Sequence, residues 1–97
     1  MLWFEISRLA LEDLDNIWEY TVELWSNEQA NKYYNEIFSV IYKICENSDI
    51  GKPIDDVKKG HRRSNMKSHL IIHKVKGTTV YIDRIIASKN GYRKTFE

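Results

Sequence analysis

Apolar residues recur along this chain with two different periods, and the change from one to the other divides it. After Leu9 they fall at Ala10, Leu14, Ile17 and Leu24, with Thr21 completing the stripe and Trp18 and Trp25 widening it. Glu12, Asp13, Asp15, Asn16, Glu19 and Glu23 occupy the other side. Spacing by three and four predicts a helix of about four to five turns with one buried face. Ser7 stands where its cap belongs, and the acids of the opening turns suit the positive end of the helix dipole. Ser26-Asn27-Glu28-Gln29 then has the spacing of a capping box. A second stripe follows at Ala30, Tyr33, Tyr34, Ile37, Phe38, Ile41, Ile44 and Cys45, to about Glu46. Only a tight corner separates the two, so they are expected to pack as an antiparallel hairpin.

Outside the helices the pattern is that of strands. Leu2 to Ile6 is short and bulky, and reads as a first strand. Asn47, Gly51 and Pro53 end the second helix, and a loop runs through Gly60. His61 to Met66 is polar and basic, as an exposed or half-covered strand would be. Ser68 to Val75 is apolar at both parities, with Leu70 and Ile72 on one side and Ile71 and Val75 on the other. That marks a central strand covered on both faces. Lys76-Gly77-Thr78 turns the chain, and Thr79 to Ile86 is β-branched and aromatic enough to be the last strand. Ala87 to Glu97 shows no periodicity. The expected fold class is therefore α+β, in the order strand, helix, helix, strand, strand, strand, tail. The helix hairpin would pack on one face of a mostly antiparallel sheet, leaving the other face partly open.

Composition narrows this picture without changing it. A chain of 97 residues, 42% hydrophobic and 30% charged, is expected to form a single domain, 1–97. The formal charge of +1 gives no general attraction to nucleic acid, but the charge is uneven. Acidic residues dominate before Asp49, whereas from Lys58 onward Asp83 and Glu97 face eleven Lys and Arg. Cys45, the only cysteine, sits in a helical stripe and reads as a small buried hydrophobe in a reducing compartment. No apolar run approaches the length of a membrane span, and the start lacks a signal peptide's pattern, so a cytoplasmic location is expected.

Candidate chemistry is sparse. Glu12 and Asp13 are read as part of a solvated helix face. His69 and His73 share a strand face, but four residues of strand set them roughly 13 Å apart, too far to share one ion. A packed or hydrogen-bonded imidazole is the expectation for His73, and no metal or cofactor is expected. Ser64, Ser68 and Cys45 lack a recognisable base and orienting acid, and no glycine-rich phosphate loop is present. The aromatics Trp25, Tyr33, Tyr34 and Tyr42 are expected to pack against the sheet.

The motifs together carry a resemblance. Asp13-Leu14-x-x-Ile17-Trp18-x-Tyr20, Trp25-x-x-x-Gln29-Ala30-x-x-Tyr33, Glu46-Asn47-Ser48-Asp49-Ile50-Gly51-Lys52-Pro53, Gly60-His61-Arg62-Arg63, Ser68-His69-Leu70-Ile71-Ile72 and Arg84-Ile85-Ile86 resemble the ParE toxins, over about residues 3 to 89. These belong to the RelE/ParE superfamily of bacterial type II toxin–antitoxin systems. The resemblance implies a toxin neutralised by a co-expressed ParD-like or other antitoxin, whose largely unstructured C-terminal segment wraps the toxin's helices and sheet. RelE-like members are ribosome-dependent mRNA endoribonucleases, whereas ParE members inhibit DNA gyrase. Cleavage through the 2′-hydroxyl requires a base, an acid and cations at the phosphorane. Leu70 stands where the ribonucleases carry a central-strand arginine, and Asn90 where they carry a later one. Their late tyrosine aligns with Phe96 or, on a shifted alignment, with Tyr92. Gyrase inhibition by direct binding is the first expectation, ribosome-dependent cleavage the second, and an antitoxin-bound module with another or lost target the third. The basic C-terminal half is the expected target-facing surface: Arg62, Arg63, Arg84, Lys89, Tyr92, Arg93 and Phe96. For Arg84 the alternative is a strand-end pairing with Asp55, Asp56 or Asp83.

Overall fold

The computed structural model describes residues 2–96; Met1 and Glu97, the ends of the expected 1–97 domain, lie outside the described residues. The order is β1 (Trp3–Ile6), α1 (Arg8–Leu24), α2 (Asn27–Glu46), β2 (Lys52–Pro53), β3 (Arg62–Met66), β4 (His69–Lys76) and β5 (Thr79–Ala87). Two 3-10 turns, Ser88–Asn90 and Lys94–Phe96, follow. Both helix starts are where the caps predict them. Ser7 Oγ accepts from Ala10 N at 3.0 Å and Ser26 Oγ accepts from Gln29 N at 3.0 Å, each satisfying an amide the helix cannot. No acid occupies the first turn of α1; Glu12 and Asp13 lie a turn further in.

The sheet has five strands in the order β1-β5-β4-β3-β2. All neighbours are antiparallel except β1 and β5, which run parallel. β4 is central, as its two apolar parities require. Ile71 joins the helix-side core with Leu14, Ile37, Ile41 and Ile44. Leu70 and Ile72 face the other way into a smaller cluster with Ile54 and Ile86. Val75 departs from the expectation: near the end of the strand, it is exposed.

Three features refine the sequence expectation. Lys52–Pro53 is an added edge strand paired with β3 through Lys52↔Arg63 and Pro53↔Arg62; a proline is tolerated there because the outermost strand has no further neighbour to donate to. The polar strand β3 is half-covered, within the sequence expectation. Its Ser64 and Met66 are buried against the helix side, and only Asn65 of the five is fully exposed. The face away from the helices is partly roofed by the chain's own tail, because Tyr92 and Phe96 pack onto the Ile54–Leu70–Ile72–Ile86 cluster.

Beyond Ile82, β1 ends and α1 takes over the edge of β5. Ser7 N donates to Ile82 O at 2.9 Å and Ser7 Oγ to Asp83 O at 2.7 Å. At this place β5 carries a bulge: Ile72 pairs with Arg84 and His73 with Ile82, leaving Asp83 unpaired. The bulge keeps Ile82 and Ile85 on one face although they are three residues apart.

Candidate functional site

Two surfaces gather the chemically distinctive side chains. The first is the face away from the helices, where Arg63 and Arg93 lie 5.3 Å and 5.7 Å from the centre of the Tyr92 ring and the Lys58 ammonium lies 4.7 Å from that of Phe96. Such stacks hold a cation over an aromatic quadrupole and fix the tail. Arg93 also pairs with Asp56 at 2.6 Å, which holds the Asp56 carboxyl below and the Arg93 guanidinium above their ordinary ranges. Lys58 reaches Asp83 at 2.5 Å, and buried His61 brings Nε2 to 3.6 Å from the same carboxylate. Among the expected target-facing residues, Arg63, Tyr92, Arg93 and Phe96 are thus brought together.

The other three are elsewhere. Arg62 has the opposite parity on β3, and its Nη1 donates to Asp49 O and Gly51 O at 2.9 and 3.1 Å, tying down the corner after α2. Lys89 lines the second surface, described below. Arg84 is bound by Asp13 of α1, at 2.8 Å from Nε and 2.9 Å from Nη2. The same carboxylate accepts from Ile85 N at 2.9 Å. None of Asp55, Asp56 and Asp83 is the partner. The Asp13 contact holds the Arg84 guanidinium above its ordinary range. Asp13 is consequently not part of a solvated face, since its side chain is 13% exposed. Its position just before buried Leu14 was the available signal, because that places it on the shoulder of the apolar stripe.

The second surface is a groove of about 880 Å³ between the C-terminal half of α1 and the far end of the sheet. Ile17, Tyr20, Thr21 and Trp25 form one wall, Ala87, Ser88 and Lys89 the other, and Tyr33 and His69 the floor. Trp25, expected to pack against the sheet, is 73% exposed and Tyr20 61%, whereas Thr21 on the same helix is buried. Tyr42 is also exposed, at 49%. The Tyr33 hydroxyl and His69 Nδ1 are hydrogen-bonded at 2.6 Å. Burial pushes the Tyr33 phenol up and the His69 imidazole down from their ordinary values. At the rim, Lys67 takes a left-handed backbone (φ 51°) to turn β3 into β4, and its ammonium meets Glu36 at 2.7 Å.

His73 lies at the centre of the sheet, fully buried, with Nε2 2.8 Å from Ser64 Oγ. This is the hydrogen-bonded imidazole expected for it. Burial lowers its pKa to about 4, helped by the nearby Arg62 charge. His69 and His73 each have their own partner on a different element, Tyr33 on α2 and Ser64 on β3.

The architecture is that of the RelE/ParE-like α+β domains. It superimposes on a solved chain titled "Chromosomal ParDE TA system from P. aeruginosa" with a TM-score of 0.78 and 25% identity, covering 90% of this chain and 96% of that one. The family described as "ParE toxin of type II toxin-antitoxin system, parDE" matches residues 4–92, and the chain belongs to that family. Among curated relatives, "Toxin ParE1" of Caulobacter vibrioides is 36% identical over 83 residues, 86% of this chain and 85% of that protein. "Toxin ParE1" of Mycobacterium tuberculosis is 29% identical over 82 residues, 84% of each. The protein is a type II ParE toxin.

Proposed function

We propose that this toxin acts in the cytoplasm by binding DNA gyrase directly, without catalysis of its own, and that a ParD-like antitoxin neutralises it. The observation carrying the target half is the environment of Leu70. This is the position at which the ribonuclease relatives are expected to hold an arginine, and here it is buried in an apolar cluster beneath Tyr92 and Phe96. A phosphorane forming there would meet hydrocarbon instead of a cation. Asn90, at the second expected arginine, is neutral. Arg63 and Arg93, stacked against Tyr92, give the surrounding surface its charge.

For the antitoxin, the supporting feature is the groove beside α1. Its exposed Tyr20 and Trp25 offer the aromatic anchors an amphipathic segment needs. The outer edge strands, β1 and β2, offer backbone groups to an added strand.

Purified toxin added to gyrase supercoiling and cleavage assays, and separately to translating ribosomes with mRNA read by primer extension, tests the target. Gyrase inhibition that is relieved by the antitoxin is the expected result, and Arg63→Glu is expected to weaken it. Site-specific mRNA cuts with gyrase unaffected would overturn the proposal. Inertness in both assays, with tight antitoxin binding, would instead favour a module with another target.

A further inference from the structure

The half of the open sheet face that the tail leaves uncovered has its own composition. Register places Trp3 of β1, Thr79 of β5 and Lys76 of β4 in one row, and Glu5, Tyr81 and Lys74 in the next. Phe4, Ile6, Val80 and Ile82 point to the helix-side core, so these two rows point away from it. The row after the bulge continues through Ile72 to Arg63 of β3 and Lys52 of β2. Four cations therefore run across the face from Lys76 through Lys74 and Arg63 to Lys52, a path of roughly 20 Å by strand geometry. None of the four pairs with a carboxylate among the described residues, whose ion pairs involve Lys58, His61, Lys67, Arg84 and Arg93. Glu5 is the only carboxylate in the first two rows, and Asp83 at the bulge is taken by Lys58.

Aromatic surface lies along this path. Trp3 is 78% exposed, the highest among the exposed large hydrophobic side chains. Tyr81 is half-buried with the Lys74 ammonium 5.8 Å from its ring centre. An exposed indole on an edge strand lowers solubility and adds nothing to the core, whereas a π-face beside a line of unpaired ammonium groups matches one ligand chemistry well. Bases stack on such rings whatever their identity, and the cations follow the phosphates.

We propose that this face binds single-stranded nucleic acid without sequence preference, Trp3 and Tyr81 stacking bases and Lys76, Lys74, Arg63 and Lys52 meeting phosphates. The site is separate from the groove beside α1 and borders the tail-roofed cluster, meeting it at Ile72 and at Arg63, which lies against Tyr92; it stands whether or not gyrase is the target.

The test is a fluorescence-anisotropy titration of a labelled 15-mer of deoxythymidine with the purified toxin. Four phosphate contacts on a single strand predict a log–log salt slope of about −3, an approximately 50-fold fall in affinity between 50 and 200 mM NaCl. Trp3→Ala is expected to weaken binding about 5-fold or more, as loss of one stacked base does, and Trp3→Phe to restore most of it. Lys74→Glu with Lys76→Glu should abolish binding at 200 mM NaCl, while Lys32→Glu on α2 should leave it unchanged. All these side chains reach the surface, and matching thermal melts verify that the variants are folded. Absence of binding at 50 mM NaCl, or an equal loss from Lys32→Glu, would overturn the proposal. So would displacement by polyglutamate as effective as by unlabelled oligonucleotide with Trp3→Ala neutral, which would mark an acidic-peptide surface instead.

Discussion

Replacing Asp13 by alanine tests whether the join between α1 and β5 is electrostatic. The substitution removes two guanidinium bonds to Arg84 and the acceptor for Ile85 N. The orphaned amide alone costs about 1–3 kcal/mol. The ion pair lies between the exposed and buried limits, since Arg84 is 25% and Asp13 13% exposed, so losing it costs about 1–2 kcal/mol more. The total expected is about 2–5 kcal/mol, a large part of a small domain's stability. Asp13→Asn keeps an acceptor for Ile85 N and should cost about half as much. Urea unfolding of the wild type, Asp13→Ala, Asp13→Asn, Arg84→Met and the double variant Asp13→Ala with Arg84→Met measures both terms. The cycle isolates a coupling of about 1–2 kcal/mol between the two side chains. A loss below about 1 kcal/mol for Asp13→Ala, or a cycle without coupling, would show that packing alone seats α1 and refute the reasoning.

His73 predicts a loss of stability in acid. Its folded pKa of about 4 is below the ordinary 6.5, so the unfolded chain takes up the proton first. Stability is therefore complete above about pH 6.5 and falls as the pH drops to about 4, by about 3 kcal/mol in all. Unfolding at stepped pH should show this slope, and His73→Gln should flatten it. Gly51→Ala should be costly: at φ +90° its Cβ would lie 2.7 Å from both Arg63 O and Ser64 Oγ and 3.1 Å from His73 Nε2. A loss of about 3 kcal/mol is expected, against about 1 kcal/mol for Gly77→Ala, where only the backbone angle resists; a similar loss at both sites would contradict it. Cys45 is buried and desolvation raises its thiol pKa, so labelling by a disulfide reagent should proceed at the rate of opening and accelerate sharply in urea.

The helices, their caps and the central strand are legible in the sequence because each is a local matter. Ser7 and Ser26 sit within one turn of the amides they cap, and the two parities of Leu70–Ile71–Ile72 state that both sides of that strand are covered. The resemblance to ParE toxins is equally legible, since it rests on motifs whose spacing survives in the linear chain. The candidate site is legible only in part. Basic and aromatic residues after Lys58 announce a charged surface, but parity divides Arg62 from Arg63, and Arg84 leaves the group for α1.

What the tertiary structure alone decides are the joins between distant positions. Asp13 and Arg84 are 71 residues apart in sequence, and neither carries a local sign of the other. The bulge at Asp83, the edge pairing of Lys52–Pro53 and the roof formed by Tyr92 and Phe96 are of the same kind. Each depends on which backbone groups remain unpaired once the other elements have packed. Periodicity records whether a residue is buried, whereas the identity of its neighbour is settled by the packing of the whole chain.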